Sequence, residues 1–177
     1  ARHAPGRARR DLVEQPEELC RSSGGITRRA EHELEVEWGL QQALVEFHSI
    51  GERWGISYAL ATLADLAARR GDLVEALDYG ERAAEVLTEL GAVEDLVFVK
   101  AAEAQLRWLV GDETGSAAAM AQAEQDAASV GWPDAVAGMA YVKGDLARWS
   151  GDSTTARTEL AHSEALLGRT GIDPVFR

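Results

Sequence analysis

Cys20 is the only cysteine among 177 residues. No disulfide can close within the chain, and a reducing, cytoplasmic setting is the expectation. No apolar run approaches the roughly 18 residues a spanning helix needs, so no membrane segment is expected. The opening ARHAPGRARR is basic and has no apolar stretch behind it of the kind a secretory signal carries. It also has no initiator methionine, and we expect the chain to be a piece of something longer. The phosphate-cradling pattern GxxxxGKS/T is missing, as is the zinc-binding HExxH. Aromatic residues make up only 6%, so where they gather is informative.

What is present is globular in composition, at 46% hydrophobic and 27% charged. The length suits one domain with a sizeable core. The net charge of −12 is unevenly placed: residues 1–30 hold seven arginines and four acids, whereas residues 31–177 hold 11 basic and 26 acidic residues. An acidic body repels phosphate backbones, so direct nucleic-acid binding is not expected. Arg2, Arg7, Arg9 and Arg10 either touch an anionic partner or form a solvated arm. Residues 1–33 are expected to be a basic segment, partly disordered or distorted, or a cap.

Glycine punctuates the remainder every 20 residues. Gly51, Gly91, Gly131 and Gly171 form one series; Gly71, Gly111 and Gly151, each followed by aspartate, form the other. Between them the pattern is helical. Residues 54–70 place Ile56, Ala59, Leu60, Leu63, Ala64, Leu66 and Ala67 on one stripe. Gly71 supplies a left-handed residue that ends a helix, and Asp72 is placed to cap the next one, over 73–90. The plan repeats over 94–110 and 114–130, then over 134–150 and 154–170, with Pro133 at a tolerated N-terminal position. Upstream, 34–50 reads as the second helix of an earlier copy. Its glycine-aspartate is replaced by Glu31-His32, and Pro16 and Gly24-Gly25 interrupt the matching first helix. The repeats are thus about 14–53, 54–93, 94–133 and 134–173, and the regular repeat domain is 34–177.

Setting the copies side by side gives columns. Leu66, Leu106 and Leu146 share one, as do Ile56, Leu96 and Val136. Small residues align at Ala64, Ala104 and Gly144, at Ala76, Ser116 and Ala156, and at Ala43, Ala83, Ala123 and Ser163. Large columns fill the seam between helices, and small ones let backbones approach. The alanine-rich helix 114–130 should be the least stable part, because alanine buries little area. The last helix, with Leu160, Ala161, Leu166 and Leu167, leaves a terminal seam, for which dimerisation is the expectation.

No constellation suggests catalysis. His3, His32, His48 and His162 form no metal-ligand set, and Glu31, Glu33, Glu35 and Glu37 around His32 alternate instead of sharing a helical face. Cys20 has no CxxC partner or identifiable activating base. No catalytic, cofactor or metal residue is assigned, and the chain is not expected to be an enzyme.

The phrase GDLVEALDYGERAAEVL, residues 71–87, resembles the start of the second helix of a tetratricopeptide repeat, with Ala76 and Ala83 as its column alanines. The usual period is 34, and here each helix is about a turn longer. The resemblance implies an all-α fold, an α-α superhelix (a TPR-like solenoid) of about 3.5 antiparallel hairpins. The stretch SIGERWGISYALATLADLAARRGDLVEAL, residues 49–77, is similar to the C-terminal repeats of actinobacterial SARP (AfsR-like) and MalT/LuxR-type regulators. The complete absence of asparagine is similar to proteins of such high-GC genomes. That likeness implies a regulatory protein-interaction or sensor module. Its partners would be a protein, a peptide or other domains of a full-length regulator. A free-standing scaffold or adaptor is the alternative.

By the same resemblance, first helices line a concave binding face. The positions that correspond are Tyr58, Ala61, Asp65, Ala68 and Arg69, then Phe98, Ala101, Gln105, Trp108 and Leu109, then Gly138, Tyr141, Asp145, Arg148 and Trp149. Aromatic anchors would hold a peptide or helix there, with Arg69 and Arg148 pairing its acids. Aromatics at helical spacing also suit the inter-helix core, and that reading of Phe98, Trp108, Tyr141 and Trp149 stays open. Trp38, Trp54 and Trp132, near predicted helix ends, are expected to cap the core.

Overall fold

The computed structural model describes the backbone of residues 16–170 and the side chains of residues 32–168. All regular structure among the described residues is helical: α1 (Pro16–Ile50), α2 (Arg53–Arg70), α3 (Leu73–Leu90), α4 (Val93–Leu109), α5 (Glu113–Val130), α6 (Pro133–Trp149) and α7 (Ser153–Thr170). The expected arginines 2, 7, 9 and 10 and Gly171 lie outside these residues, as does the side chain of Cys20. Contacts divide the chain into Ala1–Val36 and Glu37–Arg177. The first unit carries the N-terminal part of α1, and the second carries its remainder with α2 to α7.

Helices α2 to α7 begin and end within a residue of the predicted positions, because the ladder fixes each stop. At Gly71, φ is 88°; its N–H donates to Ala68 O (3.0 Å) and the Asp72 N–H to Ala67 O (2.9 Å). This pair of bonds satisfies carbonyls that the helix end leaves free, and an L side chain would be strained at that φ. The two series differ in geometry. Gly71, Gly111 and Gly151, which turn within a pair of helices, have φ of 84–88°, whereas Gly51, Gly91 and Gly131, between pairs, have φ of 67–70°.

The aspartates divide. Asp152 Oδ1 accepts from the N–H groups of Thr154 (3.2 Å) and Thr155 (3.0 Å), and Asp112 Oδ1 accepts from Gly115 N–H (2.9 Å). Hydrogen bonds from Thr155 hold the Asp152 carboxyl below its ordinary range, and the Gly115 N–H does the same for Asp112. Asp72, expected to cap α3, makes no side-chain cap bond. Its carboxylate meets Arg70 Nε at 3.2 Å instead. Glu52 caps α2 through the amides of Trp54 and Gly55.

The most extensive packing is α2 on α3, α4 on α5 and α6 on α7, with α3 on α4, α5 on α6, and α4 on α6 joining them. The small columns supply much of the core, but of the large columns only Ile56 and Leu106 are buried, and Leu66, Leu96, Val136 and Leu146 are half-buried. Leu60, Leu63 and Val97 are the largest fully buried side chains, and Ala76, Ala83, Ala104 and Ala123 are completely enclosed. The buried Ser116 hydroxyl donates to Ala104 O across the α4–α5 interface at 2.7 Å.

α1 departs from expectation. Where Glu31-His32 and Gly24-Gly25 predict a break, the helix runs unbroken for 35 residues. Pro16 stands at its first position, where a missing N–H costs nothing. Without a glycine at 31 to turn left-handed, continuing the helix keeps every backbone bond. Trp38 therefore lies inside a helix and is exposed. Trp54 and Trp132 are exposed as well, so none of the three caps the core as expected.

Candidate functional site

The positions expected to form a binding face lie on α2, α4 and α6. Tyr58 on α2 is 74% exposed, Phe98 on α4 43% and Tyr141 on α6 52%. These are large apolar surfaces to leave in water, since each aromatic ring carries 150–250 Å². Phe98 reaches across to α6. A Cβ built on Gly138 would sit 3.1 Å from Phe98 Cε1, so the missing side chain there gives the ring its place.

At the C-terminal ends of α4 and α6, Trp108 and Trp149 meet with ring centroids 5.4 Å apart and planes tilted by 43°. Both are half-buried, so this contact ties neighbouring helix pairs together and still leaves ring surface open. Leu109 beside them is exposed, Gln105 is half-buried, Ala61 and Ala68 are half-buried and Ala101 is buried.

The charged members are paired on their own helices. Arg69 Nη2 lies 2.7 Å from Asp65 Oδ2, and Arg148 Nη2 lies 2.9 Å from Asp145 Oδ1. Arg69 and Arg148 are therefore already partnered, and any acid approaching them would have to compete with Asp65 or Asp145.

One cluster escaped the sequence reading. Glu103 on α4 has a side chain only 9% exposed, lies 2.7 Å from Lys100 Nζ and accepts from Arg107 Nε at 2.7 Å. Arg107 also reaches Glu81 on α3 and Asp112 before α5, both at 3.1 Å. Burial pushes the Glu103 carboxyl up, but the hydrogen bonds from Lys100 and Arg107 outweigh it and leave it below the usual range. The hydrogen bonds that Arg107 donates to Glu103 and Asp112 raise its pKa. The cluster lines an open cleft of about 530 Å³ with Glu81, Glu85 and Glu89. One helix pair later, Lys143 bridges Glu124 (3.0 Å) and Glu159 (3.3 Å). The signal was a column: 63, 103 and 143 are Leu, Glu and Lys.

Among the described residues, no group of three or more His, Cys, Asp or Glu side chains is placed to hold a metal ion. No helix among them is long and apolar enough to cross a membrane. His32, His48 and His162 are exposed and set apart on α1 and α7. The arrangement offers an exposed aromatic side chain on each of α2, α4 and α6, with Arg–Asp pairs on α2 and α6. No protein-family model matches this chain, and no curated protein matches it.

Proposed function

We propose that the chain is a protein-interaction or sensor module with a TPR-like superhelical repeat. On this reading it binds a peptide, a partner domain or an effector on the face formed by α2, α4 and α6. The carrying observation is the exposure of Tyr58, Phe98 and Tyr141, aromatic side chains on alternate helices of a chain poor in aromatics. Exposed aromatic surface of this kind supports partner binding, because rigid rings supply contact area at low entropic cost. The likeness of residues 49–77 to large bacterial regulators supports a place in the regulatory region of such a protein, acting without catalysis or a cofactor.

A displayed peptide library panned against the full chain tests the reading. Selected peptides should carry apolar or aromatic anchors. Tyr58→Ala and Tyr141→Ala should each weaken them at least ~10-fold, as hot-spot truncations do, with thermal midpoints unchanged. Equal binding by both variants would end the assignment to this face.

A further inference from the structure

We propose that the groove between α5 and α6 binds an amphipathic helix of a partner protein, one that carries lysine or arginine at the centre of its apolar face. The groove uses other side chains than Tyr58, Phe98 and Tyr141, so it stands apart from the face proposed above.

Two open lobes, of about 360 Å³ and 280 Å³, meet at Glu124 and Lys143. Together they run from Glu113 to Ala128 on α5 and from Val136 to Ala147 on α6. At the rise of an α-helix that stretch of α5 is about 22 Å long, or roughly four turns. A trough of that length takes a helix of similar length, whose apolar anchors recur at i, i+3, i+4 and i+7.

The preceding helix pairs explain why this groove is apolar. The cleft of about 530 Å³ on α3 and α4 occupies the equivalent place. There Lys100 and Arg107 converge on Glu103, and Arg107 also reaches Glu81, so the central charges satisfy one another. Forty residues later, Glu81, Lys100 and Arg107 are replaced by Ala121, Ala140 and Ala147, and Leu77 by Ala117. Met120, Met139 and Leu146 complete an apolar lining. Ala117, Ala121 and Ala128 are exposed. Alanine on both walls thus leaves room that longer side chains take in the preceding cleft, and α5 packs less extensively on α6 than α3 does on α4. An apolar trough with a few polar groups at its middle is the usual form of a binding site.

Charge names the occupant. The centre of the α3–α4 cleft is one carboxylate between two cations, and here the signs are inverted. Lys143 Nζ lies 3.0 Å from Glu124 Oε1 and 3.3 Å from Glu159 Oε1. One ammonium between two carboxylates leaves a negative excess, and Glu113 adds an acid at one end. A carboxylate can accept several donors. A lysine or arginine at the middle of the docked face therefore meets Glu124 and Glu159, whereas an acid there is repelled.

A displayed library of four-turn helical peptides, randomised on one face and panned against the full chain, tests this. Selected peptides should carry apolar residues at helical spacing around a central lysine or arginine. Ala117→Leu places on α5 the leucine that α3 has at that position. It should fill one lobe and weaken the selected peptides at least ~10-fold, as overfilling a packed site does, with the thermal midpoint kept. Glu124→Gln should weaken them at least ~5-fold through the lost charge pair, and a peptide with glutamine in place of its central cation should not feel that change. Tyr58→Ala and Tyr141→Ala should bind these peptides as the unsubstituted chain does. Equal binding by Ala117→Leu, a central acid in the selected peptides, or no enriched peptide at all would overturn the groove. Peptides that lose binding to Tyr58→Ala instead sit on the aromatic face, which also overturns it. If light scattering shows a dimer that Ala117→Leu dissociates, the occupant is a second copy and the assignment to a partner protein falls.

Discussion

Two glycines inside helices, Gly80 on α3 and Gly144 on α6, give opposite expectations for one substitution. A Cβ built on Gly80 meets nothing within 4 Å, and the residue borders a small apolar void of about 50 Å³ lined by Ala61, Ala64 and Leu106. Glycine costs a helix interior about 0.5–1 kcal/mol relative to alanine. Gly80→Ala should therefore stabilise by roughly that amount and raise the thermal midpoint by about 1–4 °C for a chain of this size. At Gly144 the same methyl meets Leu160 Cγ at 2.7 Å, Cδ2 at 2.9 Å and the Leu160 backbone nitrogen at 3.3 Å. Cγ and the backbone cannot swing away as the tip of a long side chain does, so α6 and α7 must separate. Overpacking of this kind costs about 1–3 kcal/mol, against a propensity gain of at most about 1 kcal/mol. Gly144→Ala should thus lose about 1–2 kcal/mol net. Thermal melts by circular dichroism read both, and Leu160→Ala in the Gly144→Ala background should restore part of the loss. If Gly144→Ala is as stabilising as Gly80→Ala, the close approach of α6 and α7 is wrong.

Further outcomes follow from the seam and the buried cluster. Leu106→Ala should cost about 2–5 kcal/mol, as large-to-small changes in a packed seam do; a near-native melting midpoint would contradict its column. Glu103→Gln should cost roughly 1–3 kcal/mol at neutral pH, because Arg107 and Lys100 lose a nearly enclosed carboxylate. The folded pKa of Glu103 lies below its unfolded value, so its contribution is complete above roughly pH 4.3. It is lost as pH falls through the lower folded value. The midpoint of the unsubstituted chain should fall more steeply below that pH than that of Glu103→Gln, and parallel curves would remove Glu103 from the balance. Trp149→Ala should lower the midpoint by removing the ring that meets Trp108 and so separate that pair from Tyr58 and Tyr141, whose exposed positions predict changes within about ±0.5 kcal/mol.

Local chemistry by itself determined the helices and their ends. A left-handed glycine stops a helix wherever it stands, and three-and-four spacing states which face is apolar, so α2 to α7 were legible from Gly51 to Gly151. The columns also identified residues that pack, such as Ala76, Ala83 and Leu106, because a repeated plan presents each of them to the same surroundings.

Tertiary structure decided what depends on partners outside the local window. Asp72 was placed to cap, yet Arg70 claims its carboxylate. Gly24-Gly25 suggested a break, yet without a turning residue at 31 the helix continues. The aromatics sorted by neighbour: Trp108 and Trp149 found each other between helix pairs, whereas Tyr58, Phe98 and Tyr141 kept much of their surface in water. Glu103 was invisible as a core residue because burial of a carboxylate becomes tolerable only when Lys100 and Arg107 both converge on it. Periodicity is a property of the chain alone. Whether a charge is paired or a ring covered is a property of what the folded chain brings beside it.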